Sequence, residues 1–322
     1  LPEFAYYGEA KIIDEKVFVV GGQKTSSVYS DKVYAADLPT PAMNLYFKEG
    51  NATAEAELST LGIADGSVTL GQLAPNALDK LGLDHNPATS EGNLLAIPRG
   101  TQPPPGYSLY KRSDRNGSLV WEEKAPVSMA RTASGAETID GRIYLIGGRE
   151  VAATALSERY DPISDQWETL PPMSVARSSL ATAVLDGKLY AIGGYGLSSV
   201  EIFDPQTGQW SSGPSLPSVC YSGAAISCYG KIFYIGGRNS SNQYVNQVLE
   251  FDPTTNQWNS KAPMLQARDG HKLVMHEGKI WAIAGNDGHS SNRVEVYDVV
   301  TDSWSSRTAL TIKRNWAAST EA

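Results

Sequence analysis

The stretch KLYAIGGYGLSSVEIFDPQTGQW, residues 188–210, contains the main parts of a unit that recurs along the chain. An apolar run ends in a glycine pair at Gly194, and a second block, FDPQTGQW, closes on Trp210. The matching second glycines are Gly148, Gly237 and Gly285, so successive units lie 46, 43 and 48 residues apart. A period of this size predicts a repeat architecture in which each unit buries its faces against its neighbours.

Each repeat is interpreted as four short strands that form one antiparallel sheet. The first strand precedes a Gly-Lys or Gly-Arg turn, the second ends in the glycine pair, the third ends at an aspartate and the fourth begins at a tryptophan. Asp161, Asp204 and Asp252 are each followed by a proline and are expected to cap the turn before the fourth strand. Residue types that tolerate a positive φ stand later in this turn, at Asp165, Gly208, Asn256 and Asp302.

The second strand of each repeat carries two signals of close packing. The second glycine of the pair is the same in every repeat, whereas the first is replaced by Ala284 in one of them. The second position therefore requires either a positive φ or a close approach of two sheets. An aromatic residue precedes each pair, as at Tyr190, and its recurrence predicts packing between sheets rather than ligand stacking.

The double glycine, followed at set distances by a tyrosine and a tryptophan, resembles the kelch repeat. The resemblance implies an all-β fold: a kelch-type β-propeller built of four-stranded antiparallel blades, with a non-propeller insert or linker. It covers residues 131–308, where four full repeats follow one another, and residues 5–38, where three strands are clear. Residues 39–126 depart from the pattern.

Three regions are predicted from this division. Residues 1–50 form a kelch blade, residues 51–105 an insert or linker with one short helix at 71–82, and residues 106–322 a propeller with four full repeats and partial first and last blades. In one assembly, residues 1–48 form one blade and the four full repeats form four more. The C-terminus then joins the hairpin from Tyr110 to Trp121 to close a six-bladed ring that carries a long insertion. In the other, which is preferred, residues 1–50 end a preceding propeller, because isolated third and fourth strands near residues 106–126 are typical of a ring closed by its two termini.

Charge and composition limit the partners. The formal net charge is -8 and the pI is about 5.1, which argues against a nucleic-acid partner, since a polyanion favours clustered lysines and arginines. No apolar run is long enough to span a bilayer, so no membrane insertion is predicted. Cys220 and Cys228 are too few for a disulfide framework. The insert is similar to stalk and collar segments of bacterial surface proteins, which favours a secreted or cell-surface location over the cytoplasmic alternative.

Motifs of catalysis are missing from the sequence. It has no phosphate-binding glycine loop, no Gly-x-Ser-x-Gly elbow and no zinc-spaced histidine pair, so no cofactor or metal site is predicted. The chain is expected to be a non-catalytic binding module. The alternative, suggested by the kelch resemblance, is an enzyme that acts on carbohydrate as an oxidase, a lyase or a sugar isomerase.

Arginines recur just before the first strand of each repeat, in SMAR, SVAR, QAR and IKR. In kelch propellers that bind acidic peptides, arginines at this position line the mouth of the central channel, so the resemblance implies ligand-binding side chains that face water at Arg131, Arg177, Arg268 and Arg314. The alternative is that each arginine pairs with an acid of its own blade. Cys220 replaces the arginine in one repeat.

The loops that follow the glycine pairs differ in length and sequence while the strands do not. In propellers these loops share the face at the channel mouth, so they are expected to form the rim of a binding site. The predicted rim residues are Arg149, Tyr195, Arg238, Tyr244 and His289. The expected partner is an acidic protein, peptide or glycan.

Overall fold

The computed structural model describes residues 9–13, 16–20, 23–25, 28–37, 43–48, 83–84, 94–98, 107–112 and 122–313. The chain divides into two compact units, residues 1–37 with 121–322, and residues 38–120. The described segments are strands, turns and loops, and they include no helix long and apolar enough to cross a membrane. The helix expected at 71–82 lies outside the described residues.

The strands are numbered along the chain. Those before residue 121 are β1 Glu9–Ile13, β2 Lys16–Val20, β3 Gln23–Thr25, β4 Val28–Tyr29, β5 Val33–Asp37, β6 Met43–Lys48, β7 Leu83–Asp84, β8 Leu94–Pro98 and β9 Tyr107–Arg112. Those after it are β10 Glu122–Lys124, β11 Gly135–Ile139, β12 Arg142–Ile146, β13 Ser157–Asp161, β14 Gln166–Leu170, β15 Ala181–Leu185, β16 Lys188–Ile192, β17 Val200–Asp204, β18 Gln209–Gly213, β19 Ala224–Cys228, β20 Lys231–Ile235, β21 Val248–Asp252, β22 Gln257–Lys261, β23 Lys272–His276, β24 Lys279–Ile283, β25 Val294–Asp298 and β26 Ser303–Arg307.

The larger unit is a five-bladed β-propeller, which confirms the predicted fold class. Blades 2 to 5 are the consecutive antiparallel sheets β11–β14, β15–β18, β19–β22 and β23–β26. Blade 1 has the order β1-β2-β5-β10, so its fourth strand comes from residues 122–124. Strands β3 and β4 form a separate two-stranded hairpin in the loop that follows β2.

The smaller unit is inserted into blade 1, between its third and fourth strands. Its sheet has the order β7-β8-β6-β9. The boundaries therefore differ from the division at residues 50 and 105. The segment around β6 does not complete blade 1, and β9 is not the third strand of a further blade. Instead, β10 pairs with β5, and residues 9–37 and 122–313 belong to one ring.

The turns between third and fourth strands form as the sequence predicts. The Oδ1 atom of Asp161 accepts hydrogen bonds from the amides of Ile163 and Ser164, at 2.9 and 3.3 Å. The equivalent aspartates of blades 3 to 5 each accept the first of these two bonds. The later turn residues have φ between 48° and 68°. A basic residue that opens the second strand pairs with each of these aspartates, as Lys188 does with Asp204 at 3.0 Å. Such bonds favour the ionised carboxyl, and in blade 4 they lower the pKa of Asp252 to about 2, with the side chain and amide of Thr254 as the main cause.

Aromatic side chains join consecutive blades, as predicted. The ring of Tyr190 in blade 3 packs against Phe251 in blade 4, with centroids 5.8 Å apart, and Phe251 packs against Trp258 of its own blade at 5.3 Å. Indole Nε1 of Trp258 then donates a 2.9 Å hydrogen bond back to the carbonyl of Pro214, which follows blade 3. The same arrangement recurs at the other three consecutive junctions.

The glycine pairs bring backbone against backbone. The second glycine has φ of 99°, 122°, 93° and 106° in blades 2 to 5, a region that L-residues rarely adopt. In blades 2 to 4 its N–H donates to the carbonyl that leads into the next blade, as Gly194 does to Cys220 at 3.0 Å. The first glycine lies at φ near 60°, and Ala284 occupies this position in blade 5 at φ 60°. The second position is therefore restricted by backbone angle, as the invariance predicts.

The junction between blades 5 and 1 differs from the others. Separate buried apolar clusters fill the four junctions between consecutive blades. None of these clusters, as far as the described residues extend, joins blade 5 to blade 1. Trp281 is half-buried there, whereas its counterpart Phe233 at the junction of blades 4 and 5 is fully buried. The first strands of blades 5 and 1 are linked by an ion pair between Lys272 and Glu9, 3.3 Å apart.

The first strands of all five blades surround a cavity of about 130 Å³. Glu137 of blade 2 contacts both neighbouring blades here. It pairs with Lys11 of blade 1 at 2.9 Å and accepts a hydrogen bond from Thr182 of blade 3 at 2.9 Å. His271 also lines this cavity and is only 2% exposed. Burial, with smaller contributions from Arg268 and Lys272, lowers the pKa of His271 well below its usual value.

Substitutions at Ala284 and Gly285, the blade 5 counterpart of the glycine pair, test whether backbone angle restricts the second position. A Cβ on Gly285 would lie 2.8 Å from the Asp269 carbonyl and 3.0 Å from Cβ of His271, at a φ of 106°. Gly285→Ala should lower the free energy of unfolding by about 1–3 kcal/mol, whereas Ala284→Gly should change it by less than about 1 kcal/mol. Urea denaturation measures both variants, and equal losses would contradict the argument.

The buried histidine predicts a pH dependence of stability. Because its pKa is lowered in the folded state, the unfolded chain binds more protons near pH 6.5, and stability should fall as the pH drops through that value. Below that pH, this one group lowers the free energy of unfolding by at most about 1.4 kcal/mol per pH unit. Melting temperatures between pH 7.5 and 5.5 should fall less in His271→Gln than in the wild type. His276→Gln, whose imidazole is 65% exposed, is the control, and parallel curves for all three proteins would refute the assignment.

Candidate functional site

The arginines that lead into the blades are buried. Arg131, Arg177 and Arg268 have exposed fractions of 1%, 0% and 0%, so the prediction that their side chains face water at the channel mouth is wrong. Each pairs with a glutamate on the third strand of its own blade, as the alternative reading held. Arg131 lies 2.6 Å from Glu158, Arg177 lies 2.9 Å from Glu201, and Arg268 pairs with Glu295. Arg314 lies outside the described residues.

Each of these glutamates also holds the segment that precedes its arginine. Glu201 accepts hydrogen bonds from the amides of Ser174 and Val175 at 2.7 and 3.2 Å, and Arg177 bonds the carbonyls of Gly193 and Ser199 at 2.8 and 2.7 Å. Burial opposes ionisation of Glu201, but the bonds from Ser174 and Arg177 outweigh it and lower the pKa of this carboxyl. The pair therefore fixes the connection between blades rather than offering a free cation.

Blade 4 shows what happens when the pair is lost. Cys220 stands where the other blades have arginine, and Leu249 stands where they have the paired glutamate. Both are buried in one apolar cluster with Tyr234, whose counterpart in blade 3 is the small residue Ala191. Because the arginine and the glutamate are both replaced in blade 4, neither charge is left buried without its partner.

The loop residues that follow the glycine pairs are brought to the channel mouth by short backbone bridges. Arg149 pairs with Thr132, and Arg238 pairs with Tyr221. In blade 3 the amide of Tyr195 donates to the carbonyl of Ser178 at 2.9 Å. We call the positions just before the first strands the leading positions; they are Arg131, Arg177, Cys220 and Arg268. Each residue that follows a glycine pair is thus held against the residue that follows a leading position.

Backbone bonds between blades form the floor under these residues. Ser179 N donates to Ala133 O at 2.8 Å, Ser222 N to Ser179 O at 2.8 Å, and Gly270 N to Ser222 O at 3.0 Å. These four residues all have positive φ, between 55° and 57°. The bonds link blades 2 to 5 at one end of the channel and fix the spacing of the side chains above them.

A second cavity of about 360 Å³ opens above this floor. It is lined by Thr132 and Arg149 from blade 2, Tyr195 from blade 3, Tyr221, Arg238 and Asn242 from blade 4, and Asp269 at the start of blade 5. We call this cavity the mouth pocket. Its volume lies in the range of small-ligand sites.

Arg238 is fully engaged on the blade 4 side of the mouth pocket. Its Nε lies 2.6 Å from Asp269, its Nη1 donates to Asn242 Oδ1 at 2.9 Å, and its Nη2 donates to the Tyr244 hydroxyl at 2.7 Å. The guanidinium also lies 4.2 Å from the centroid of the Tyr244 ring. Tyr221 completes the network, because its hydroxyl donates to Asn242 Oδ1 at 2.6 Å.

Arg149 and Tyr195 are the accessible members of the mouth pocket. The Arg149 side chain is exposed, and its guanidinium has no hydrogen-bond or ion-pair partner within the described part of the chain. Tyr195 is 71% exposed, with its ring edge-to-face on Tyr221 at 5.1 Å. These two side chains present a cation and an aromatic surface to solvent on neighbouring blades.

The rim predicted from sequence is only partly brought together. Arg149, Tyr195 and Arg238 line the mouth pocket, Tyr244 supports Arg238 from outside it, and His289 is exposed on the blade 5 loop and does not line it. Sequence reasoning did not select Thr132, Tyr221, Asn242 or Asp269. For three of these a signal exists, since Thr132, Tyr221 and Asp269 each follow a leading position.

Among the described residues, no group of three or more His, Cys, Asp or Glu side chains could hold a metal ion. Burial raises the pKa of the Cys220 thiol. The alternative of an enzyme that acts on carbohydrate stays a prediction.

Comparisons with known proteins agree with the repeat pattern. A family model described as the KLHDC2/KLHL20/DRC7 Kelch-repeats domain matches residues 112–285, more than half of the chain, and the Kelch motif matches residues 267–310. None of the curated proteins matches the chain. A solved structure described as "Structure of YjhT" is similar with a TM-score of 0.65 at 15% identity, over 99% of this chain and 89% of that one. At this identity the likeness is one of fold.

A double-mutant cycle tests the buried pair. Arg177→Cys leaves Glu201 buried without a countercharge, and Glu201→Leu leaves Arg177 in the same state, so each should lower the free energy of unfolding by about 3–5 kcal/mol. The double variant reproduces the blade 4 residues and should be less destabilised than the sum of the two. Arg142→Cys, which removes a pair whose side chains are 42% and 27% exposed, is the control and should cost less than about 1 kcal/mol. Strictly additive losses in urea denaturation would show that the pair does not act as a unit.

Proposed function

The chain belongs to the kelch-repeat family, and on that premise we propose that it is a binding module whose mouth pocket contacts an acidic segment of a protein partner. Kelch propellers commonly act as protein-binding modules, so the family supports a binding role in general. The mouth pocket is the part of the described surface that best supports such a role.

One observation carries the proposal. Arg149 and Tyr195 are exposed on the mouth pocket, and the Arg149 guanidinium is unpaired among the described residues. Backbone bonds to the residues that follow the leading positions nevertheless hold the main chain of both in place. A cation and an aromatic ring held in place but not used by the fold are typical of contact residues in protein interfaces.

The charge of the pocket favours an acidic ligand. Arg149 and Arg238 contribute two positive charges to the lining, and Asp269 contributes one negative charge. Because Arg238 and Asp269 pair with each other, Arg149 remains as the uncompensated group. A carboxylate that reaches Arg149 can form a charge-assisted, bidentate pair, which is stronger than a neutral hydrogen bond.

Selection from a displayed library of random twelve-residue peptides tests this function. The wild-type protein should enrich peptides with Asp or Glu, and their binding should weaken as salt increases. Arg149→Ala should reduce affinity by roughly 10- to 100-fold, the cost of a charge-assisted hydrogen bond. Tyr195→Ala should weaken binding without changing its salt dependence.

Matched controls lie at the opposite ends of the blades. Tyr229→Ala removes a 66% exposed tyrosine from the turn between β19 and β20, and Arg142→Ala removes an arginine at the start of β12. Neither should change peptide binding. Enrichment that is insensitive to Arg149→Ala and Tyr195→Ala would place the ligand elsewhere. Binding confined to uronic-acid glycans on an array would replace the protein partner with a glycan.

A further inference from the structure

The mouth pocket contains two buried polar atoms that nothing in the described chain satisfies. Asp269 is 1% exposed and its Oδ1 has no hydrogen-bond partner, and Thr132 is 3% exposed and its Oγ1 has none. Both residues line the pocket. Buried polar atoms are almost always hydrogen-bonded in folded proteins, so two orphans in one pocket indicate groups that a ligand satisfies.

The two oxygens of Asp269 have different roles. Oδ2 accepts a hydrogen bond from Nε of Arg238 at 2.6 Å, which fixes the orientation of the carboxyl. Oδ1 is buried and has no hydrogen-bond partner, in a residue that lines the pocket. Arg238 cannot fill this role as well, because its other nitrogens bond Asn242 and Tyr244.

The matching group on a ligand is a neutral donor. A second carboxylate next to Asp269 would meet a buried acceptor of like charge, and burial already raises the pKa of Asp269. A cation is also disfavoured, since Arg238 already pairs with Asp269 and Arg149 keeps a free positive charge in the same pocket. A hydroxyl or an amide N–H fits both constraints.

We propose that Asp269 and Thr132 determine specificity: the bound segment pairs its carboxylate with Arg149 and donates a neutral hydroxyl or amide hydrogen bond to Asp269 Oδ1 and Thr132 Oγ1. This inference rests on the proposed binding function of the mouth pocket. It identifies the ligand as a segment with Asp or Glu close to Ser, Thr, Asn or Gln, and it excludes segments that are acidic at both positions.

The test is a change in the residue preferences of selected peptides. Asp269→Asn keeps the shape of the side chain, and the need of Arg238 Nε for an acceptor orients the amide oxygen toward Arg238. The amide NH₂ then faces the pocket and turns an acceptor into a donor. The preference at the donor position should change from Ser, Thr, Asn and Gln to Asp and Glu, with a change of roughly tenfold or more in relative enrichment.

Two further variants separate the contacts. Thr132→Val is nearly isosteric and should weaken the donor preference while the acid preference remains. Arg149→Gln should remove the acid preference and retain the donor preference. Asp140→Asn, in the turn between β11 and β12 at the far end of blade 2, is the matched control and should leave both preferences unchanged.

The outcomes distinguish this inference from the function on which it rests. If the wild type enriches no acidic peptide, the proposed function fails. If it enriches acidic peptides but the profile of folded Asp269→Asn matches that of the wild type, the specificity assignment is overturned and the function stands. Should Asp269→Asn not fold, as judged by circular dichroism, Thr132→Val decides: an unchanged donor preference overturns the assignment, and a weakened one supports it.

Discussion

The ring depends on backbone hydrogen bonds at the glycine pairs of blades 2 to 4. The N–H of the second glycine reaches the carbonyl that leads into the next blade, as from Gly148 to Arg177 at 2.8 Å. No side chain can stand between the two strands at this distance, and the backbone angle excludes residues other than glycine. The approach brings the loop after each pair to the first strand of the next blade. The wall of the mouth pocket is thus a consequence of how blades are joined.

The buried Arg–Glu pairs work with this contact. Each arginine bonds a carboxylate and nearby carbonyls, so the connection between blades has a fixed shape although it contains little regular structure. Loss of one partner of such a pair strongly destabilises a protein, whereas exchange of both partners for apolar residues is tolerated. Cys220 and Leu249 in blade 4 show that tolerance within a single chain. The recurring arginines are therefore structural, and the proposed ligand contacts are the variable residues beside them.

The repeats differ at the proposed binding pocket and at the junction that closes the ring. In the mouth pocket, the residue after the glycine pair is Arg149, Tyr195 or Arg238 according to the blade, on an almost constant backbone. Among the described residues, the junction of blades 5 and 1 has an ion pair between first strands but lacks the shared aromatic packing of the other junctions. A repeat scaffold allows this division, because contacts between neighbours stabilise each blade and leave the loop ends free to vary.

The sequence alone determined the repeat, the strand order within blades 2 to 5, the capped turns at Asp161 and its equivalents, and the aromatic joints, because these are local patterns that recur with a constant period. It also placed Arg149, Tyr195 and Arg238 on one face. It did not determine that residues 122–124 complete blade 1, since strand pairing across a long insertion has no local signature. Nor could it show that Arg177 is buried while Arg149 is free. Both are arginines beside a blade, and only the tertiary structure brings a glutamate to the first and leaves the second facing solvent, because burial and ion pairing are set by residues distant in sequence.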